Sequence, residues 1–150
     1  MFYRSIIKAL QKTLIYAIVY KIKFFKKYTM AKTVFIAHVI SGDVEGNIKK
    51  VIKICKAIHS VDIIPVFPSF TWRQYLPEND TTKYYSGLVN DEYFKRGMVD
   101  ELWLYGKTIS AGMLKEIHLA LSYGIPVVPK NNFMKVELKK LKIPYAEKLN

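Results

Sequence analysis

The chain has 150 residues, of which 51% are hydrophobic and 14% aromatic, so it can form one domain with a hydrophobic core but is too short for two. Five Met, abundant aromatic residues and the lack of any low-complexity tract exclude a disordered chain. The single cysteine, Cys55, excludes an internal disulfide, and we expect a reducing, cytoplasmic setting.

The net charge of +12 is unevenly distributed along the chain. Residues 1–29 contain seven basic side chains and no acidic one, which leaves residues 30–150 with a surplus of five positive charges. This mild surplus fits a small anionic substrate and gives no reason to expect a specific nucleic-acid partner.

Residues 1–29 allow two interpretations. Their longest uncharged apolar stretch, Leu14 to Tyr20, is far shorter than the roughly 20 residues that span a bilayer. The segment could be a basic amphipathic helix that rests on anionic lipid. It could also be an upstream extension, because Met30-Ala31-Lys32-Thr33 resembles a natural start. We favour the second interpretation, which leaves a single domain over residues 30–150.

From Thr33 onward, short apolar runs alternate with longer amphipathic ones. The sequence predicts four strands, over Thr33–Ala37, Asp62–Val66, Glu101–Tyr105 and Ile125–Pro129. It predicts helices over Asn47–Ser60 with Asn47 as the N-cap, Val89–Val99, Gly112–Tyr123 and Met134–Leu141. Pro65 places the second strand at an edge or a strand end. Residues 68–86 are predicted to form a long irregular segment rich in aromatic residues, typical of a lid or a subunit contact.

This alternation predicts an α/β fold of the flavodoxin-like or Rossmann-like class, with a parallel sheet and helices on both faces. In such folds ligands bind beyond the carboxyl ends of the strands. The loop after the first strand contains Ala37, His38, Ser41 and Gly42, whose small residues let the backbone approach an anion near a helix start. His38 could either cap this loop structurally or take part in catalysis.

The segment Ser110-Ala111-Gly112-Met113-Leu114-Lys115-Glu116 is the most informative motif. It follows the third strand and opens a helix, so its glycine lets the helix N-terminus come close to an anion. Glu116 shares a helix face with Gly112 and Ala120, which is unusual for a solvated carboxylate. The alternative is a surface glutamate paired with a lysine.

This S-x-G-x-x-x-E pattern after a strand resembles the nucleophile motif of the nucleoside 2-deoxyribosyltransferase-like family, which includes deoxynucleoside-monophosphate N-glycosidases. The resemblance spans about Thr33 to Pro129. It implies that Glu116 attacks the anomeric carbon of a deoxyribose and that Ser110 binds a 5′-phosphate or 5′-hydroxyl. It also implies homo-oligomers in which the aromatic segment 68–86 forms a contact.

The same resemblance implies further site residues. The family keeps a carboxylate about eight residues before an acid at the edge of the next strand, which points to Glu92, ahead of Asp100, with Asp91 as the alternative. The loop after the first strand would lie against sugar or phosphate, and Phe67, Phe70 and Trp72 could stack on the base. The alternatives for these residues are a solvated helix face and core packing.

We expect no metal site and no cofactor. His38, His59 and His118 are scattered, and with one cysteine there is no ligand spacing typical of zinc. Cleavage of an N-glycosidic bond needs a carboxylate beneath C1′ and an acid that assists the leaving base, as in retaining glycosidases. The resemblance therefore implies cleavage or transfer at the N-glycosidic bond of a deoxynucleoside or its 5′-monophosphate. The alternative is a non-catalytic nucleotide-binding module.

Overall fold

The computed structural model describes residues 11, 13–15, 31–77 and 79–147. The chain divides into two compact units, Met1–Met30 and Ala31–Asn150. In the first unit the four described residues are helical. The predictions made for the segment 1–29 otherwise fall outside the described residues.

The second unit contains a four-stranded, all-parallel sheet in the order β2-β1-β3-β4. The strands are β1 Lys32–Ala37, β2 Ile63–Val66, β3 Glu101–Leu104 and β4 Val127–Pro129. Residues 34–37 and 102–104 are fully buried, as expected for the central strands of a parallel sheet covered on both faces. The predicted α/β parallel-sheet class is confirmed.

Helices cover the two faces of the sheet unequally. They are α1 Val44–Ile58, α2 Pro68–Trp72, α3 Asp80–Lys95, α4 Ala111–Ser122 and α5 Asn132–Lys140. One core cluster joins Phe35 and Leu102 of the sheet to residues of α3, α4 and α5. The other cluster joins Val34 and Ile36 to residues of α1. The alternation of side chains along β1 thus feeds both cores.

The prediction for residues 68–86 as an irregular segment was wrong. The structure has the short helix α2 there, with Pro68 at its first position, and α3 begins at Asp80. The helix predicted over Val89–Val99 instead ends at Lys95, because Gly97 adopts φ +64 and turns the chain into β3.

The predicted N-cap of the first helix was also wrong. Asp43, not Asn47, caps α1, and its Oδ1 accepts from the backbone N–H of Gly46 at 3.0 Å. Asn47 lies inside the helix and is buried. The helix predicted from Gly112 was one residue short at its start, and Gly124 ends it with φ +69 as expected.

Both outer strands of the sheet contain a proline that points away from the neighbouring strand. The backbone groups of successive residues in a strand face alternately toward and away from the neighbouring strand. The hydrogen bonds from Lys32 N–H to Asp62 O and from Lys130 N–H to Leu104 O fix which residues of β2 and β4 face inward. By this alternation the backbone of Pro65 and Pro129 faces outward, where proline has no N–H to offer. The outward carbonyls of Ile63 and Val127 accept from the backbone N–H groups of Ser60 and Ala146.

Candidate functional site

The strand order places a crevice beyond the carboxyl ends of β1 and β3. The chain passes from β1 to β2 on one side and from β3 to β4 on the other, so the loops after β1 and β3 diverge there. His38 lies at this point, with Nε2 3.9 Å from where a Cβ on Gly106 would stand. Its Nδ1 lies 2.7 Å from the carbonyl of Val39, so the ring is held by its own loop.

The loop after β1 is shaped by Asn47. Its Nδ2 donates to the carbonyls of Ile40 and Ser41, at 3.4 and 3.3 Å. Ser41 and Gly42 are exposed, and Gly42 adopts φ +88. Ala37 differs from them, because its methyl group is in the core and its carbonyl accepts from Tyr105 N–H. Ser41 and Gly42 therefore remain open to a ligand, whereas Ala37 offers no free group.

Ser110 begins α4 as its N-cap. Its Oγ accepts from the backbone N–H of Met113 at 3.3 Å, which leaves the hydroxyl proton able to donate. Ala111 and Gly112 are exposed, so the first turn of α4 is open to solvent. The geometry at this helix start suits an anion.

Glu116 lies in the second turn of α4 and faces α3. Asn90 of α3 donates from Nδ2 to Glu116 Oε1 at 3.1 Å. Burial raises the pKa of Glu116 to about 8, because the charged carboxylate loses its hydration. The Asn90 hydrogen bond favours the charged form but does not offset this effect. At neutral pH the free protein therefore keeps Glu116 mostly protonated.

Two glycines leave space next to this pair. Gly112 is one turn before Glu116 in α4 and therefore shares a helix face with it. Gly87 is likewise one turn before Asn90 on the same face of α3. A Cβ added at Gly87 would meet no atom within 4 Å, and one at Gly112 would meet only Ser110 Oγ at 3.8 Å. The surface between the pair and the helix starts is thus not filled by side chains from these positions.

Glu92 does not join this pair. Its carboxylate binds Arg96 Nε at 2.6 Å and lies 3.7 Å from Lys95 Nζ, on the exposed side of α3. Arg96 holds the pKa of Glu92 below its ordinary value. Asp91, the alternative, accepts from the hydroxyl of Tyr123 at 3.3 Å. The α3 residue that contacts Glu116 is Asn90, which was not among the predicted site residues.

The aromatic residues predicted to stack on a base lie in different surroundings. Phe67 lines a groove of about 390 Å³ along the β2 edge, together with Phe70, Cys55 and Tyr93. Trp72 is buried, with the Arg73 guanidinium 4.8 Å from its ring centroid. One face of the Trp72 ring is therefore already covered.

Exposed aromatic side chains do occur in the segment predicted to form a subunit contact. Phe70 is 40% exposed, and Tyr75, Tyr84 and Tyr85 are exposed by more than half. Association between copies of this chain stays a prediction.

Within the described part of the chain, no three His, Cys, Asp or Glu side chains group closely enough to hold a metal ion. None of the helices formed by these residues is both long and apolar enough to cross a membrane.

Residues 32–130 match the family described as Domain of unknown function (DUF7768). The chain belongs to this family. The DUF7768 segment runs from the start of β1 to the residue after β4, so it includes the whole sheet, Asn90 and Glu116, and it ends before α5.

A structure of a conserved protein from Enterococcus faecalis V583 is similar to this DUF7768 member at 20% identity, with a TM-score of 0.49. The similarity covers 73% of this chain and 75% of that one. No curated protein matches the sequence.

Proposed function

We propose that this protein cleaves, or transfers a sugar from, the N-glycosidic bond of a deoxynucleoside or its 5′-monophosphate, with Glu116 as the nucleophile. The observation that carries the proposal is the part-buried contact between Glu116 and Asn90, next to the open start of α4. The S-x-G-x-x-x-E resemblance of residues 110–116 to the nucleoside 2-deoxyribosyltransferase-like family supports it.

The chemistry balances with a single carboxyl group. Glu116 forms a bond from its oxygen to C1′, and the bond from C1′ to the base nitrogen breaks with its electrons on the base. The carboxyl group releases its proton to solvent before it attacks, and the departing base takes up one proton from solvent. Water or a second base then attacks C1′ and releases Glu116.

The phosphorylated substrate fits the charge of the domain. Residues 30–150 carry a surplus of five positive charges. The start of α4 offers backbone N–H groups and the Ser110 hydroxyl to an anion. Ser41 and Gly42, in the loop after β1, are exposed on the same carboxyl edge of the sheet.

The test is the Glu116→Gln variant incubated with each of the four deoxynucleoside 5′-monophosphates, with free base measured by chromatography. The wild-type protein is expected to release base, and the variant to lose at least about 10³-fold in rate while still binding nucleotide, because the nucleophile is gone and its shape is kept. Glu92→Gln is the matched control, since Glu92 pairs with Arg96 on the surface, and its rate should be unchanged. Base release by Glu116→Gln at the wild-type rate would contradict the proposal.

The second candidate is a nucleotide-binding module without catalysis. It is favoured by the protonation of Glu116, because an uncharged carboxyl group beside an amide can recognise a ligand by hydrogen bonds alone. Under this alternative the wild-type protein binds the monophosphates and releases no base.

A further inference from the structure

Asn90 has a buried side chain of which only one half is paired. The residue is 9% exposed, and its Nδ2 donates to Glu116. Its Oδ1 is buried and has no hydrogen-bond partner among the described residues. Buried side-chain acceptors of this kind are rare in native interiors, and each calls for an explanation.

The chemistry of the unpaired atom restricts what can meet it. A carbonyl oxygen accepts hydrogen bonds and cannot donate them, so its partner must carry an O–H or N–H group. Phosphate and carbonyl oxygens are excluded as partners on this ground. Gly87 precedes Asn90 by three residues on the same helix face, and a side chain there would meet nothing within 4 Å, so no side chain at that position shields the helix face that carries Asn90.

The position of Oδ1 further restricts which group of a ligand can reach it. Oδ1 and Nδ2 belong to one planar amide, so a group bound to Oδ1 is held beside the carboxyl group of Glu116. If Glu116 reacts at C1′ of a deoxyribose, the nearest ring hydroxyl on the ligand is the one on C3′, because C2′ carries none.

We propose that Asn90 determines specificity by accepting a hydroxyl of the bound pentose through Oδ1 while it positions Glu116 through Nδ2. This inference rests on the proposed function. It names the sugar hydroxyl, rather than the base or the phosphate, as the ligand group that Asn90 recognises.

The test measures whether the hydroxyl and Asn90 depend on each other. Wild-type protein and Asn90→Ala are compared on a ribonucleoside, a 2′-deoxynucleoside and a 2′,3′-dideoxynucleoside 5′-monophosphate with the same base, for affinity by calorimetry and for base release. The ribo and deoxy pair tests the 2′-hydroxyl, and the deoxy and dideoxy pair tests the 3′-hydroxyl. In the wild-type protein, loss of the recognised hydroxyl should lower the affinity or the rate of base release about tenfold or more, because Oδ1 is left unpaired.

In the Asn90→Ala protein, loss of the same hydroxyl should lower the affinity or the rate of base release less than about twofold. Asn90→Leu, which keeps the side-chain volume, provides a second variant if the alanine protein is unstable, and thermal unfolding checks both. Asp91→Asn is the matched control on the next residue of α3, and it should keep the full wild-type penalty. Equal hydroxyl penalties in the wild-type and Asn90 proteins, for both hydroxyls, would overturn the inference.

The outcomes separate this inference from the proposed function. Base release that depends on Glu116, with equal hydroxyl penalties in the wild-type and Asn90 proteins, leaves the proposed function standing and removes the inference. Binding without base release removes the catalytic proposal, and the affinities still decide the role of Asn90. A protein that binds none of the three nucleotides contradicts both.

Discussion

Glu116 is held in surroundings that oppose its ionised form. The side chain is covered between α3 and α4, and the described residues place no basic group in hydrogen-bond contact with it. Its one bonded neighbour, Asn90, is neutral. A carboxyl group in such surroundings lowers the stability of the protein when it ionises, and sites that do this are often functional.

This arrangement predicts a pH dependence of folding stability. The pKa of Glu116 is near its ordinary value of 4.5 in the unfolded chain and about 8 in the folded one. Between these values the folded state keeps a proton that the unfolded state has released, so the free energy of unfolding falls as pH rises. The loss reaches on the order of 5 kcal/mol by pH 8 and then levels off.

Urea unfolding of the wild-type and Glu116→Gln proteins between pH 5 and pH 9 measures this effect. The variant cannot ionise at this position, so it should be more stable than the wild-type protein at pH 9 and close to it at pH 5. Glu92→Gln, at an exposed carboxylate, should follow the wild-type curve. A wild-type stability that is flat over this range relative to Glu116→Gln would contradict the burial of the carboxyl group.

Glu116 could be selected as a site residue from the sequence, whereas Asn90 could not. Glu116 stands in a recognisable motif with small residues one turn away on either side. Asn90 carries no charge, and the spacing of eight residues before Asp100 predicted Glu92 instead. Helix periodicity offered a signal, because Asn90 and Phe94 are four residues apart and Phe94 packs against Phe35 in the core. Glu92 falls on the other side of that helix.

Among the elements, α1 shows how closely a helix start can depend on one glycine. Asp43 folds its carboxylate over the third helical residue, Gly46, to reach the N–H of that residue. A Cβ at Gly46 would lie 2.7 Å from Asp43 Cγ, which is closer than any real contact. Any other residue at position 46 therefore competes with the cap for the same space.

Gly46→Ala is expected to bring no net gain in stability, because the cap must move and the loss of its hydrogen bond, about 1 kcal/mol, offsets the better helix propensity of alanine. Gly87→Ala is the matched control in α3, where a Cβ would meet nothing within 4 Å. This second change should stabilise the protein by up to about 1 kcal/mol. Chemical denaturation measures both, and a stabilising effect of Gly46→Ala would disprove the role of the cap.

The strands and α4 were predictable because their apolar patterns and capping residues agree. The helix α2 and the first part of α3, before Val89, were missed for a physical reason. The segment from Pro68 to Ser86 is rich in aromatic and polar residues that do not form one apolar stripe, and Tyr84 and Tyr85 are adjacent and both exposed. Local sequence there resembles a loop, and only the contacts between α2 and α3 and the burial of Trp72 mark it as packed structure.

For the whole molecule, charge and core are carried by different parts of the chain. Both core clusters are built from residues 34–145, whereas residues 1–29 carry seven of the 24 basic side chains and no acidic one. Removal of the first segment lowers the net charge from +12 to +5. Long-range attraction to anionic surfaces should follow this charge.

A shortened chain that begins at Met30 should keep a cooperative thermal transition, since the sheet and both clusters remain. Its affinity for vesicles rich in anionic lipid at low salt should fall more than about tenfold, given roughly 1 kcal/mol for each basic residue near such a surface. Vesicle sedimentation with both proteins, at low and high salt, measures the difference. Equal binding by the two proteins would place the attraction in residues 30–150.

The prolines at the two borders of the sheet have a consequence for how copies of this protein can meet. A strand from another molecule pairs with a sheet edge through a row of free backbone N–H and C=O groups. At each edge of this sheet a proline lacks the N–H, and one outward carbonyl already accepts a hydrogen bond. Growth of the sheet from molecule to molecule, the route to fibrils, is thereby discouraged on both flanks. Among the described residues, the helical surfaces and exposed rings are the better suited to contact between copies.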